Sequence, residues 1–302
     1  MVTQNVSSWG RVTSVPHEVV ALTGRASAAR TIAQSRGPGL AYGNGRSYGD
    51  VCLNEDGVLW LTRGLDRFID FDAASGLLEC EAGVTLKEII DLALPQGWFL
   101  SVTPGTQYVT VGGAIANDVH GKNHHSHGCF GEHVEQLTLL RTDGSRIVCG
   151  PDRQADWFRA TVAGLGLTGV ISSARLRLRK VEGAWLSVES TVFESLDEFF
   201  DLSATASASH EYTVSWIDCS TMQAARTRGI FLSGRHSMAH DAEPSARVRR
   251  MPFTPPLSLI NRASLPTING LYFHGSRLRR DKTTQHYTSF FYPLDGFLEW
   301  NR

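Results

Sequence analysis

Three glycine-rich stretches and one run of histidines hold the residues whose type and spacing suggest chemistry. The first stretch, Gly37 to Asp50, places five glycines within 13 residues. Gly43, Asn44, Gly45, Arg46, Ser47, Tyr48 and Gly49 form its centre. Glycine tolerates positive φ, so successive peptide N–H groups can turn toward one anion, and Arg46 and Ser47 add donors to such a nest. The second stretch runs from Pro104, Gly105 and Thr106 through Thr110, Gly112 and Gly113 to Ala116, Asn117, His120 and Lys122. Val109–Val111 reads as extended, and the glycine pair lets the chain turn into a helix beginning at Ala114. The free N–H groups and positive dipole end of that helix would suit a pyrophosphate. Two separated loops of this kind suit a long dinucleotide. The third stretch, Gly164-Leu-Gly-Leu-Thr-Gly169, matches G-x-G-x-x-G as a string. A helix precedes it and a strand follows, the reverse of the nicotinamide-type fingerprint, so that fold is rejected. It reads as a loop whose backbone approaches a ligand.

His120, His124, His125, His127 and His133 fall within 14 residues. Imidazole is a common transition-metal ligand. No neighbouring cysteine pair or H-E-x-x-H helix supports a metal, so none is expected. Two readings stay open: hydrogen-bonding loop histidines, or an acid/base site beside the second glycine stretch in which His120 and Lys122 take part.

The elements that must position these residues are legible from residue 57 onward. Gly57–Leu61, Arg67–Asp72 and Leu77–Ala82 read as short strands. Thr85 with Glu88 is a capping box, followed by Ile89, Ile90, Leu92 and Leu94 at helical spacing up to Pro95. Val134–Arg141 and Arg146–Cys149 flank Asp143-Gly144 as a hairpin. Asp156–Ala163 reads as a helix and Gly169–Lys180 as a strand. Beyond Gly183, Trp185–Phe193, Glu211–Asp218, Gly229–Ser233 and His286–Tyr292 read as strands, and Ser195–Ser203 as a helix. Met238–Ser276, rich in Pro, Arg and Ser, reads as a long mobile loop. Runs of strands point to an α+β class with two domains, 1–182 and 183–302.

Composition narrows the rest. The chain has 302 residues, 42% hydrophobic and 20% charged, with a net charge of −1. That is an ordinary globular balance with no global field to recruit nucleic acid. Five cysteines, an odd number without a C-x-x-C pair, fit a reducing compartment. No signal peptide and no membrane-spanning run are visible, so the expected location is the cytoplasm or the periphery of the inner membrane. Residues 226–302 carry 12 Lys/Arg against five Asp/Glu. Arg247, Arg249, Arg250, Arg277, Arg279, Arg280 and Lys282 surround the apolar stretch Pro252–Ile260. That pattern is either a solvated surface or a basic, partly apolar face for phosphate or lipid.

Several of these strings carry a resemblance. Gly45-Arg-Ser-Tyr-Gly-Asp50, Pro104-Gly-Thr106, Thr110-Val-Gly-Gly-Ala-Ile-Ala116 and His120-Gly-Lys-Asn-His-His125 resemble the flavin domain of the vanillyl-alcohol-oxidase superfamily. Ser8-Trp-Gly-Arg11, Gly164–Gly169 and Phe291–Arg302 extend the likeness to its decaprenylphosphoryl-ribose oxidase branch. The resemblance implies a two-domain, p-cresol-methylhydroxylase-type FAD-binding fold with an antiparallel-sheet substrate domain. It implies FAD lined by the first two glycine stretches, with Gly121, Asn123, His124, Gly164, Gly169 and Ile171 added. Related sugar oxidases attach FAD through a histidine in the first loop. Tyr48 occupies the corresponding stretch, so non-covalent FAD is implied. His120 and Lys122 would be catalytic. Lys122, Trp216, Phe291, Leu294, Asp295 and Phe297 would line the substrate.

The implied reaction oxidises C2 of a polyprenyl-phosphate-linked ribose to a keto sugar, which a short-chain reductase partner returns as the arabinosyl epimer. Members of the branch continue beyond the Glu-Trp-Asn-Arg motif in which this sequence stops, so the substrate domain is expected to be incomplete. A sugar-lactone or alditol oxidase of the same superfamily, and a non-catalytic FAD-binding fragment, stay open as alternatives.

Overall fold

The computed structural model describes residues 2–220, 227–238, 249–250, 261–262, 264–278 and 281–298, with backbone only at 249, 250 and 298. The chain divides into two compact units. Among the described residues, one comprises 2–121 and 127–181, the other 122–126 and those from 182 to 298.

The first unit opens with β1 (Val2–Val6), β2 (Val15–Ala21), helix α1 (Arg25–Ala33), β3 (Gly39–Tyr42) and β4 (Val58–Leu61). These strands form a sheet in the order β1-β2-β4-β3. β4 runs parallel to both β2 and β3. α1 lays Ala28 and Ile32 on this sheet, where Leu22, Val58, Trp60, Leu65, Leu140 and Val170 complete one apolar core. None of α1 and β1–β3 is visible in the sequence reading, because short, mixed apolar runs have no decisive period.

Next come β5 (Phe68–Asp72), β6 (Leu77–Glu81), helix α2 (Leu86–Ala93) and the two-residue strand β7 (Trp98–Phe99). α2 begins as its sequence dictates. Thr85 accepts the Glu88 N–H and Glu88 returns to the Thr85 N–H. Leu86, Ile89, Ile90 and Ala93 then form one buried stripe. Helix α3 (Val111–Ala116) and the one-turn α4 (His124–His127) follow, then β8 (Val134–Leu140), β9 (Arg146–Cys149), α5 (Ala155–Thr161), β10 (Val170–Arg177) and β11 (Arg179–Lys180). β5-β6-β10-β8-β9 is a fully antiparallel sheet, and β11 pairs with β7.

The second unit is built on β12 (Trp185–Phe193), α6 (Leu196–Ser207), β13 (Tyr212–Ile217), β14 (Gly229–Ser237), the two-residue β15 (Arg249–Arg250), α7 (Leu265–Arg277), β16 (Lys282–His286), α8 (Tyr287–Phe291) and the two-residue β17 (Phe297–Leu298). Its main sheet has the order β13-β14-β12-β16 and is antiparallel throughout. α6 packs Phe199, Leu202 and Ala206 against Phe193 and Phe231.

Two expectations are corrected in this unit. The Pro- and Ser-rich stretch up to Ser276 contains α7, with Pro266 in its first turn where the missing N–H has no partner to lose. The parts at 239–248, 251–260 and 263 lie outside the described residues, as do Arg247, Arg279, Arg280 and residues 299–302. The strand expected at His286–Tyr292 lies earlier, at Lys282–His286, and Tyr287–Phe291 is helical. The His286 ring caps that helix by accepting the Thr288 N–H, and Tyr287, Phe290 and Phe291 are buried together. Their aromatic β-propensity is overridden by this packing.

α7 is fastened to β13 through Asp218, which is 1% exposed. Its carboxylate accepts from the Ser220 N–H and hydroxyl, from Asn269 Nδ2 at 2.6 Å and from Arg228 Nε at 3.0 Å. Burial alone would raise its pKa. The hydrogen bonds from Ser220, Asn269 and Arg228 outweigh that and hold it at about 2. Because the folded-state value is depressed, this contribution is complete above the unfolded value near pH ~3.9 and is lost as pH falls toward 2. Asp218→Ala leaves Arg228 and Asn269 without their acceptor, and about 3 kcal/mol of stability should be lost in denaturant unfolding at pH 7. The difference between variant and parent should shrink below pH 4.

Candidate functional site

The first glycine stretch leaves the C-terminal end of β3 and crosses to β4 without a helix. Among the described residues, no peptide N–H from Asn44 to Gly49 donates to another peptide carbonyl. The loop is held instead by its carbonyls and side chains. The Gly45 and Ser47 carbonyls accept from Trp9 N (2.6 Å) and Gly10 N (3.3 Å). The Tyr42 hydroxyl donates to the Ser7 carbonyl at 2.9 Å. Trp9 meets the exposed Tyr48 ring edge-on, with centroids 5.1 Å apart. A side chain at Gly10 would start 1.6 Å from the Tyr48 carbonyl oxygen. Gly45 has φ +57°, and a Cβ there would lie 2.0 Å from the Tyr42 hydroxyl.

The Pro104–Thr110 loop closes on the same stretch. Asn44 Nδ2 donates to the Tyr108 carbonyl at 2.8 Å. The Arg46 guanidinium lies 5.3 Å from the Tyr108 ring centroid. A Cβ on Gly43 would be 2.5 Å from Thr110 Oγ1. The second loop is in turn tied to the capped start of α2, because the Gln107 and Val109 carbonyls accept from Lys87 and Leu86. Thr106 Oγ1 accepts the Tyr108 N–H, while Gly105 is exposed with open space where a side chain would be. A row of N–H groups without peptide partners, three glycines and a guanidinium thus lie together. That donor set fits a pyrophosphate.

The glycine pair works differently from its expected role. α3 starts at Val111 rather than Ala114, capped by Thr110, whose Oγ1 accepts the Gly113 N–H. The Val111 and Gly112 N–H groups donate to the Val84 and Ala82 carbonyls, both at 2.8 Å. The first turn is therefore satisfied within the chain and offers no free donor to an anion. Gly112 packs closely, since a Cβ there would be 3.1 Å from that of Ala82. At the other end, Ala163 and Leu165 donate to the Ile115 and Ala116 carbonyls, so the third glycine stretch covers the C-terminus of α3. Gly164 and Gly169 are pressed against the Ala160 and Leu140 carbonyls. Ile171 is buried in β10. Asn117 is exposed and turns its amide back to the Gly113 carbonyl.

His120 is exposed, in a backbone bridge with Cys129. After Gly121 the chain joins the second unit. The Lys122 carbonyl accepts from Thr213 of β13 at 2.7 Å. Its ammonium donates to the Phe290 carbonyl and lies 4.5 Å from the Phe290 ring centroid. Burial lowers the Lys122 pKa to about 8. Asn123 is buried, while His124 and His125 are exposed. His125 and His133 bond the carbonyls of His210 and His127. Among the described residues, no three His, Cys, Asp or Glu side chains could share a metal ion.

Of the expected substrate residues, Phe291 is buried edge-on against Tyr212, one residue from the Phe290 that holds Lys122. Leu294, Asp295 and Phe297 follow in a turn in which the Asp295 and Phe297 N–H groups bond the Tyr292 and Leu294 carbonyls. Leu294 is exposed. Trp216 is farther along β13 and meets Tyr272 edge-on at 4.9 Å. Trp9, Gly10, Tyr108, Tyr212 and Phe290 were not singled out individually from sequence. Their roles depend on contacts between distant segments, although Trp9, Gly10 and Phe290 stand inside or beside motifs that were.

A family model for the FAD binding domain matches residues 24–150. Over 99% of its length the chain is 36% identical to decaprenylphosphoryl-beta-D-ribose oxidase of Mycolicibacterium smegmatis, and it covers 68% of that protein. The chain belongs to this family of FAD-linked oxidases. It is also 39% identical, over 55% of its length, to an uncharacterized protein of Streptomyces coelicolor, of which it covers 45%. L-gulonolactone oxidase of Mus musculus is 29% identical over 51% of the chain, which covers 36% of that enzyme. As a member of this family the chain is an FAD-binding enzyme acting on a sugar-type substrate. No helix among the described residues is long and apolar enough to cross a membrane.

The close approach at Gly45 yields a direct test. Gly45→Ala adds the cost of a left-handed alanine and displaces the Tyr42 hydroxyl. FAD affinity, measured by quenching of flavin fluorescence, should fall about tenfold or more.

Proposed function

We propose that this oxidase removes a hydride from C2 of a ribose carried on a polyprenyl phosphate, leaving a 2-keto sugar. One observation carries this reading. Likeness to the decaprenylphosphoryl-ribose oxidase runs through 99% of the chain, whereas likeness to the lactone oxidase covers only about half of it. The keto product would pass to a reductase that delivers hydride to the opposite face, completing an epimerisation. A lipid-borne substrate also places the enzyme at a membrane surface.

Bound FAD supplies the two-electron acceptor for such an oxidation. The Asn44–Gly49 backbone and Arg46 would hold its pyrophosphate. Tyr48, in place of an attaching histidine, supports non-covalent binding. His120 and Lys122 are the proposed catalytic pair. An imidazole can accept the hydroxyl proton as the carbon–hydrogen bond breaks. A desolvated ammonium stabilises negative charge more strongly than one in water. Its carbonyl and aromatic contacts at Phe290 support a fixed position for that charge.

Acid precipitation of the yellow protein should leave flavin in the supernatant, and flavin retained in the pellet would refute non-covalent binding. Anaerobic polyprenyl-phosphoribose should bleach the flavin while free lactones do not; the reverse result would assign the lactone-oxidase activity. With a pKa of about 8, Lys122 loses its charge as pH rises through that value, so the rate of flavin reduction should fall above pH 8. Lys122→Ala should slow reduction by about 100-fold and remove that limb of the profile.

A further inference from the structure

The Lys122 ammonium rests on a helix too short to hold its own shape. It donates to the Phe290 carbonyl and lies 4.5 Å from the Phe290 ring centroid. Phe290 is the penultimate residue of α8, so its carbonyl is among the last four that a helix leaves open to outside donors. A helix of five residues is marginal by itself, because it forms few internal bonds for the dihedrals it fixes. Its start is fixed from outside. The Tyr287 N–H donates to the Ala184 carbonyl at 2.9 Å. His286 Nδ1 accepts the Thr288 N–H at 3.4 Å and meets the Thr288 hydroxyl at 2.8 Å. Trp185 meets that imidazole edge-on, with centroids 5.3 Å apart. Burial lowers the His286 pKa below the usual imidazole value, which keeps the ring neutral and Nδ1 able to accept at pH 7. At the far end of α8, the Phe290 ring stands edge-on to Tyr212, where a Cβ on Gly234 would be 3.0 Å from it.

We propose that His286 is a positioning residue for Lys122: by capping α8 it aims the Phe290 carbonyl at the ammonium. Packing fixes the Phe290 ring, but the helical backbone sets the direction of its carbonyl, and the cap sets where that helix begins. Without the acceptor the first turn frays, the carbonyl turns away and water reaches the ammonium. Around this segment, Glu211 and Tyr212 stand at the start of β13, His236 in β14 and Tyr287 in α8. None of these titratable groups displaces Lys122, whose lowered pKa has burial as its one cause. Its titration therefore reports whether water reaches the amine. The catalytic consequence rests on the role proposed above for Lys122; the control of its position does not.

The test follows the pH dependence of Lys122 acetylation by acetic anhydride in the flavin-loaded chain, read on its peptide by mass spectrometry, beside anaerobic flavin reduction. In the parent protein, labelling should rise with a midpoint at about pH 8. In His286→Ala the midpoint should move up by about one pH unit or more, toward the ~10.4 of a solvated lysine, and reduction should slow about tenfold. His286→Asn, whose amide oxygen can accept the same N–H, should restore both. A purely structural effect would lower the melting temperature and leave the Lys122 midpoint in place. If His286→Ala does not fold, Thr288→Ala, which removes only the hydroxyl partner of Nδ1, should shift the midpoint in the same direction by less. An unchanged midpoint in the folded variant overturns the proposal, as does failure of His286→Asn to restore it. A shifted midpoint with unchanged flavin reduction upholds the positioning of Lys122 and refutes its catalytic role instead.

Discussion

A backbone segment whose N–H groups have no peptide partner is stable only when something else fixes its path, and most of the first unit is arranged to fix one such segment. Asn44 to Gly49 keeps its donors available because its carbonyls and side chains supply the attachments: Trp9 and Gly10 on one side, Tyr108 on the other. Each attachment comes from a different part of the chain. Closeness is permitted only by missing Cβ atoms at Gly10, Gly43 and Gly45. The sheets and the capped helix α2 hold these segments in place, through the Lys87 and Leu86 bonds that tether the 104–110 loop.

That constraint separates the glycines of a loop with open N–H groups from glycines that serve packing. The Gly112-Gly113 pair and the Gly164–Gly169 stretch have the composition of phosphate-binding loops. Their neighbourhoods assign them to α3, one allowing its approach to Ala82 and the other covering its last carbonyls. An N–H already bonded to a carbonyl at 2.8 Å is not a donor for a pyrophosphate, whatever the sequence around it. The open N–H donors are therefore concentrated in one loop.

The second unit shows a similar division for charge. Asp218 and Lys122 are both desolvated ions, with opposite consequences. Asp218 has enough donors around it to stay ionised down to about pH 2, and it anchors α7. Lys122 has a carbonyl and a ring but no carboxylate among its described contacts, and burial lowers its pKa toward neutrality. A satisfied buried ion serves structure, whereas an incompletely compensated one is suited to respond to charge that arrives with a substrate.

The sequence alone was enough wherever the deciding interaction is local. Thr85 and Glu88 cap α2 three residues apart, Asp143-Gly144 turns the β8–β9 hairpin, and alternating residues in β10 and β12 need only their own period. The first glycine loop and the family were legible for the same reason, because Gly45–Asp50 and His120–His125 are contiguous strings. Tertiary structure decided what depends on distant partners. α3 begins at Val111 because Val84 and Ala82 take its first N–H groups. Tyr287–Phe291 is helical because its aromatic rings pack together behind the His286 cap. α7 is oriented by a carboxylate 51 positions away, and that anchor turns its apolar stripe toward solvent. The sequence reads this stretch as a loop, because its Pro and Ser content masks the period; only the anchored structure shows the helix and which way it faces.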